Sequence, residues 1–141
     1  MNYYFDTSAL AKRYIAETGS DTVDQLFESA MTIYTSHIAW IEIMALYRRL
    51  LHENQITPSI YQTLIEETSR DFSCFKIIPF NDEVQLSCEA ILENYYIKTL
   101  DLIHLASAGL IKSKIKAIVL SDKKLGAHAI NLGLPVENVL D

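Results

Sequence analysis

The sequence predicts an α/β fold: a central, mostly parallel sheet covered by helices on both faces. Short apolar runs alternate with longer helical segments along the whole chain, the order that sets parallel strands between crossover helices. Ala117–Leu120 is apolar throughout, as suits a strand buried on both sides. Three prolines and four glycines leave little sequence for long loops, so the chain reads as continuous helices and strands.

The elements run in order. Asn2–Asp6 is a short strand ending in an acid, and Thr7–Ala16 a helix closed by Thr18-Gly19-Ser20. Ser20 or Asp21 caps a second helix, with Val23, Leu26 and Phe27 on one face and Ala30 at its end. Ile33–Thr35 is a strand, after which Ser36 caps a long helix from His37 to Asn54. Thr57-Pro58 places proline in the first turn of a helix reaching Ser73. Cys74–Pro79 is a third strand; Asn81 opens a helix to Tyr96, and Thr99 the next, to Ser113. Ala117–Ser121 is the fourth strand, and Asp122–Asn131 a short helix stopped by Gly133. Pro135-Val136 adds a last short strand. Sites in such sheets lie at the carboxyl ends of strands, and Asp6 and Asp122 stand at two of them.

A chain of 141 residues fits one domain, 1–141, with a core that needs no staples. No apolar run approaches the roughly 18 residues that span a bilayer, which predicts no membrane association. The start, Met1-Asn2-Tyr3-Tyr4-Phe5, lacks the basic and small-residue features of a secretion signal. Cys74 and Cys88 are too few and too far apart for a zinc site, and free thiols suit a cytoplasmic protein. The net charge of −6 argues against nucleic-acid binding by general electrostatics. It leaves room for local basic pairs, for cations that neutralise acids, and for a basic protein partner.

Most acids sit in polar company, as in Glu66-Glu67 and Asp82-Glu83, but four do not. Asp6 lies between Tyr3-Tyr4-Phe5 and Thr7-Ser8-Ala9-Leu10. Glu42 is the only charge from His37 to Tyr47, Asp101 the only acid between Glu93 and Asp122, and Asp122 follows the apolar strand. A carboxylate among apolar neighbours is costly unless paired, hydrogen-bonded or bound to metal, and several together repel one another. A hard divalent cation removes that penalty, and all-oxygen ligands suit Mg²⁺ or Mn²⁺. Plainer roles exist for each. Asp6 and Asp122 suit helix N-caps, Asp101 complements a helix dipole, and Glu42 has Arg48 or Arg49 within a helix turn or two.

The four acids and their surroundings resemble PIN domains, and most closely the VapC-like toxins of bacterial type II toxin–antitoxin modules. The resemblance covers nearly the whole chain. It rests on Phe5-Asp6-Thr7-Ser8-Ala9-Leu10, Ile41-Glu42-Ile43-Met44-Ala45-Leu46, Asp101-Leu102-Ile103-His104-Leu105-Ala106-Ser107-Ala108 and Ser121-Asp122-Lys123-Lys124-Leu125, followed by Ala129 and Asn131–Val136. It implies a three-layer α/β/α sandwich and an endoribonuclease dependent on Mg²⁺ or Mn²⁺, leaving 5′-phosphate and 3′-hydroxyl ends. It also implies a cognate antitoxin and a homodimer. Asp6, Asp101 and Asp122 would hold one or two ions, with Glu42 acting directly or through water. Two departures stand out: Leu120 occupies a position where many relatives have Thr, leaving Ser121 as the nearby hydroxyl. Lys123-Lys124 follows the last acid where some relatives carry another, which bears on a second ion.

Ser8 is a candidate for phosphate or metal-bound water, or a plain helix-start hydroxyl. Lys12, Arg13, Lys123 and Lys124 are the foremost candidate phosphate contacts, lying within two turns of a site acid; Arg48-Arg49 and Lys112, Lys114 and Lys116 come after them. Tyr3, Tyr4, Tyr95 and Tyr96 offer faces for bases or for packing, and His104, one turn past Asp101, is a candidate base that reads more simply as a packed or hydrogen-bonded side chain. A dehalogenase-type phosphatase would need a second Asp where Ser8 stands. A catalytically silent binding module on the same fold is the remaining alternative.

Overall fold

The computed structural model describes residues 1–140. Strands β1 (Asn2–Phe5), β2 (Thr32–Ser36), β3 (Lys76–Ile78), β4 (Ala117–Leu120) and β5 (Val136–Asn138) form one sheet in the order β3-β2-β1-β4-β5, every neighbouring pair parallel. Helices α1 (Thr7–Tyr14) and α2 (Ser20–Ser29) connect β1 to β2, and α3 (Ile38–His52) with α4 (Pro58–Phe72) connects β2 to β3. Helices α5 (Asp82–Leu92) and α6 (Thr99–Leu110), with a 3₁₀ turn over Lys112–Lys114, lead to β4, and α7 (Lys123–Asn131) leads to β5.

Alternation along β1 divides the core, because successive side chains leave a strand on opposite faces. Tyr3 and Phe5 pack with Ala9 and Leu10 of α1, Val23 of α2, Ile43 and Tyr47 of α3 and Leu64 of α4. Tyr4 faces the other way, among Val84 and Cys88 of α5, Leu105 and Ala108 of α6, and Leu125 and Ala129 of α7. The result is the expected three-layer sandwich. No helix among the described residues is long and apolar enough to cross a membrane.

The chain winds outward from β1 through β2 to β3, then returns to place β4 on β1's other side. Strand order therefore reverses between β1 and β4, and the carboxyl ends there flank a crevice suited to a site. Asp6 follows β1 at that point and donates its N–H to Val119 O at 3.0 Å. Thr35 Oγ1 donates to Phe5 O at 2.7 Å and ties β2 to the same end of β1.

Several boundaries differ from expectation. Helix α2 is capped by Gly19, at φ +91°, and not by Ser20 or Asp21. Ser20 Oγ instead accepts from Glu17 N at 2.9 Å, so its hydroxyl serves the turn. Helix α1 stops at Tyr14 because Ile15 is extended. Helix α5 stops at Leu92 and not at Tyr96. Ile97 is buried and Tyr95 half-buried against the same core, and burying residues two apart on one side requires extended backbone. That leaves Tyr96 in the loop, 85% exposed. Helix α6 ends at Leu110 and gives way to the 3₁₀ turn, short of Ser113 as a helical residue. Strands β3 and β5 span Lys76–Ile78 and Val136–Asn138.

Candidate active site

Asp6 supplies the N-cap of α1 and is only 3% exposed. Its Oδ1 accepts from Ala9 N at 3.1 Å, and Ser8 Oγ lies 2.7 and 3.0 Å from its two oxygens. Burial pushes its carboxyl above the ordinary aspartate value, and His104 nearby, then the hydrogen bonds from Ser8 and Ala9, oppose this without cancelling it. Ser8 Oγ also accepts from Ser121 N at 3.0 Å, stitching α1 to the end of β4. Its hydroxyl is thus committed to holding Asp6. Ser121 Oγ donates to Val139 O at 2.7 Å, so the hydroxyl nearest the position where many relatives have Thr is turned toward the backbone after β5.

Glu42 lies one turn into α3, and neither Arg48 nor Arg49 is its partner. Arg49 pairs with Glu53 at 3.8 Å, and Arg48 sits over the Tyr61 ring at 5.7 Å. Glu42 Oε1 instead accepts from Thr7 Oγ1 at 2.6 Å and from His104 Nε2 at 2.8 Å. Burial alone would raise its carboxyl; these two hydrogen bonds outweigh burial and hold it below the ordinary glutamate value.

Asp101, in the first turn of α6, is half-buried. Burial raises its carboxyl, and repulsion from Asp122 and then Glu42 adds to the rise. Among the described residues its carboxylate accepts no hydrogen bond. Asp122 caps α7, its Oδ1 accepting from Leu125 N at 2.7 Å. Asn138, at the end of β5, brackets the Asp122 backbone: Oδ1 accepts from Asp122 N at 3.3 Å and Nδ2 donates to Asp122 O at 3.1 Å. A Cβ at Gly126 would stand 2.5 Å from Asn138 Nδ2, so glycine there is what lets α7 approach the bracket.

Both cap readings therefore hold, and they coexist with a cluster. Four elements bring four acids to one end of the sheet, near enough that Asp122 and Glu42 each act on Asp101. Among the described residues no three His, Cys, Asp or Glu side chains close tightly enough to enclose an ion as they stand. The donors that four such acids offer are all carboxylate oxygens, the chemistry that suits a hard divalent cation.

The basic residues divide. Lys12 is buried and its amine bonds Thr18 O and pairs with Glu17 at 3.3 Å. Arg13 pairs with Asp24 at 2.9 Å and Glu28 at 3.5 Å, with its guanidinium 4.4 Å from the Phe27 ring centre. Lys12 thus ties α1 to the loop after it and Arg13 ties α1 to α2, and neither pairs with the four acids, although Lys12 lines a cavity of about 490 Å³ with Ser8 and Ser121. Lys112, Lys114 and Lys116 precede β4 and lie at the opposite end of the sheet. Lys123 and Lys124 are exposed and make no ion pair among the described residues. Lys124 lines a cavity of about 90 Å³ with Asp101, Asp122, Lys98, His128 and Tyr96. Tyr3 and Tyr4 are core side chains, leaving Tyr96 as the exposed ring beside the acids.

Fold and site together define an α/β sandwich with an acidic centre at its switch point. Residues 3–131 match the family model of the PIN domain, and the chain belongs to that family. It is 25% identical over 132 residues to Ribonuclease VapC45 of Mycobacterium tuberculosis, covering 89% of each chain. FitAcB from Neisseria gonorrhoeae has a similar fold, with a TM-score of 0.75 at 18% identity over 96% of both chains. So has a toxin–antitoxin complex from Klebsiella pneumoniae, with a TM-score of 0.66 at 21% identity, covering 89% of this chain and 90% of that one.

Proposed function

We infer that this PIN domain is an endoribonuclease acting as the toxin of a toxin–antitoxin pair in the cytoplasm. The observation that carries the reading is the set of four acids delivered by four elements to the carboxyl end of the sheet, with Asp122 and Glu42 near enough to act on Asp101. The ribonuclease and toxin–antitoxin names of its relatives support it.

Asp6, Asp101 and Asp122, with Glu42 directly or through water, would hold one or two Mg²⁺ or Mn²⁺. Such an ion makes its bound water acidic enough to serve as a nucleophile and offsets charge on the phosphate. The chain's own residues then divide the work. Asp6 is fixed by Ser8 and Ala9, Glu42 by Thr7 and His104, and Asp101 is the acid free to turn. Attack by water on phosphorus with departure of the 3′ oxygen, which takes up a proton, leaves 5′-phosphate and 3′-hydroxyl ends. Lys98, Lys124 and His128 beside Asp101 suit neighbouring phosphates, and Tyr96 suits stacking with a base. Ser8 serves the reaction through Asp6. Lys123, next to Lys124 on the rim, is assigned to a more distant phosphate; Lys12 and Arg13, held in ion pairs with Glu17, Asp24 and Glu28, rank behind Lys124 as phosphate contacts.

A groove of about 320 Å³ lined by Ile38, Ile41, Phe80 and Leu100 opens beside Glu42. We assign it to an apolar helix of the antitoxin, which would place an Arg or Lys among the carboxylates. A homodimer, with two sites facing one RNA channel, completes the reading. The test is RNA cleavage by the purified protein with Mg²⁺ or Mn²⁺, in EDTA, and with the product of the adjacent gene. Cleavage should need the ion, and the gene product should inhibit it while weakening Mn²⁺ binding, as linkage requires. Folded protein that cuts no RNA with either ion would favour the silent binding module. Inhibition with metal affinity unchanged would replace the inserted cation by steric blockage.

A further inference from the structure

His104 is 2% exposed, and a buried imidazole needs partners for both nitrogens. It has them. Nδ1 lies 2.7 Å from Tyr4 Oη, and Nε2 lies 2.8 Å from Glu42 Oε1 and 3.0 Å from Thr7 Oγ1. The partners fix the ring in place. A bare lone pair on Nε2 would repel a carboxylate oxygen at that distance, so Nε2 carries hydrogen and donates. Tyr4 Oη, fully buried beside it, is the hydroxyl that holds the other nitrogen. The Tyr4 ring stands edge-on to the imidazole, 5.9 Å between centres at 80°.

The consequence falls on Glu42. Thr7 and His104 reach it from α1 and α6, and both donors meet on Oε1. Among the described residues Oε2 has no protein partner. A glutamate on its own helix has free torsions to spend; here one oxygen is pinned from two sides and the other is presented. We propose that His104 is a positioning residue for the cleavage reaction. Oriented by Tyr4, it fixes Glu42 so that Oε2 faces the crevice where Asp101 and Asp122 lie. The proposal rests on the ribonuclease reading and assigns His104 no proton transfer. An outer partner that orients a ligand in this way typically contributes 10–100-fold in metal affinity or activity.

Two substitutions separate positioning from packing. In His104→Gln the side-chain amide nitrogen can occupy the place of Nε2 and still donate to Glu42. In His104→Asn the shorter amide can meet Tyr4 but not Glu42. The full-length variants are compared for Mn²⁺ affinity by calorimetry, for kcat and KM on RNA, and for melting temperature. His104→Asn should weaken Mn²⁺ binding and lower kcat by about 10–100-fold with little change in KM, while His104→Gln stays within about threefold of wild type. In a Glu42→Gln background, His104→Asn should add nothing further, because its effect passes through that carboxylate. If His104→Asn does not fold, Thr7→Val removes the second donor to Oε1 and should still weaken Mn²⁺ binding. Equal impairment of the Asn and Gln variants, additive losses in the Glu42→Gln background, or unchanged Mn²⁺ affinity in a folded Asn or Val variant would overturn the proposal. Wild-type protein that neither binds Mn²⁺ nor cuts RNA would overturn the ribonuclease reading first, and the role of His104 with it.

Discussion

Replacing Asp101 by Asn is expected to lower RNA cleavage by roughly 10²–10⁴-fold, the scale of losing a principal electrostatic or acid–base group from an active site. Asp101 is chosen because it alone of the four acids accepts no hydrogen bond among the described residues. Its loss therefore breaks no cap or bracket. Asp6→Asn should fall similarly, and Asn keeps an acceptor for the Ala9 N–H that caps α1. Circular dichroism should show both variants folded. Wild-type turnover in either would remove that residue from the site.

The second large effect is on the stability of the metal-free protein, and the acids should split. Asp6 and Asp101 have carboxyls raised from the ordinary 3.8, chiefly by burial. The native state therefore binds protons more tightly there than the unfolded chain does. Stability must fall as pH rises from about that ordinary value through the raised ones, and at neutral pH both charges are a burden. Asp101→Asn and Asp6→Asn should raise the melting temperature in EDTA at pH 7 and flatten the fall. Glu42 is the reverse. Its carboxyl is held below the ordinary 4.5 once the bonds from His104 and Thr7 outweigh burial. Its contribution is present above that value and lost as pH drops through the lowered one. Glu42→Gln keeps the shape but loses the charge behind two hydrogen bonds, which should cost about 1 kcal/mol, or about 3–4 °C in a domain of this size. Melts across pH 3–8 in EDTA check all three; a common sign for Asp101→Asn and Glu42→Gln would contradict these electrostatics.

The acids were legible in the sequence because each stands alone in an apolar stretch, and isolation of charge is a local property. The sandwich was legible for the same reason: apolar strands and capped helices are written in neighbouring residues. The surroundings of Glu42 were not. Thr7 and His104 lie 35 and 62 residues from it, and a single histidine on a buried helix looks the same whether it packs or positions. The surroundings of one basic pair were hidden for a related reason. Lys12 and Arg13 sit within two turns of Asp6, yet α1 turns them away, toward the next loop and α2. Where those segments run is decided by the whole fold. Asn138 was silent too, since its bracket on Asp122 depends on the register of β5 and on the room left by Gly126.

The proposed site stands or falls on whether these carboxylates together bind a divalent ion. The most direct measurement is a calorimetric titration of Mn²⁺ into EDTA-stripped, dialysed protein. Wild type, Asp101→Asn, Asp6→Asn and the surface control Glu66→Gln are compared at neutral pH and moderate salt. One or two ions should bind wild type and the control alike, with affinity lost or greatly weakened in both site variants. Undiminished Mn²⁺ binding in the folded site variants, or RNA cleavage by wild type that persists when no metal is bound, would contradict it.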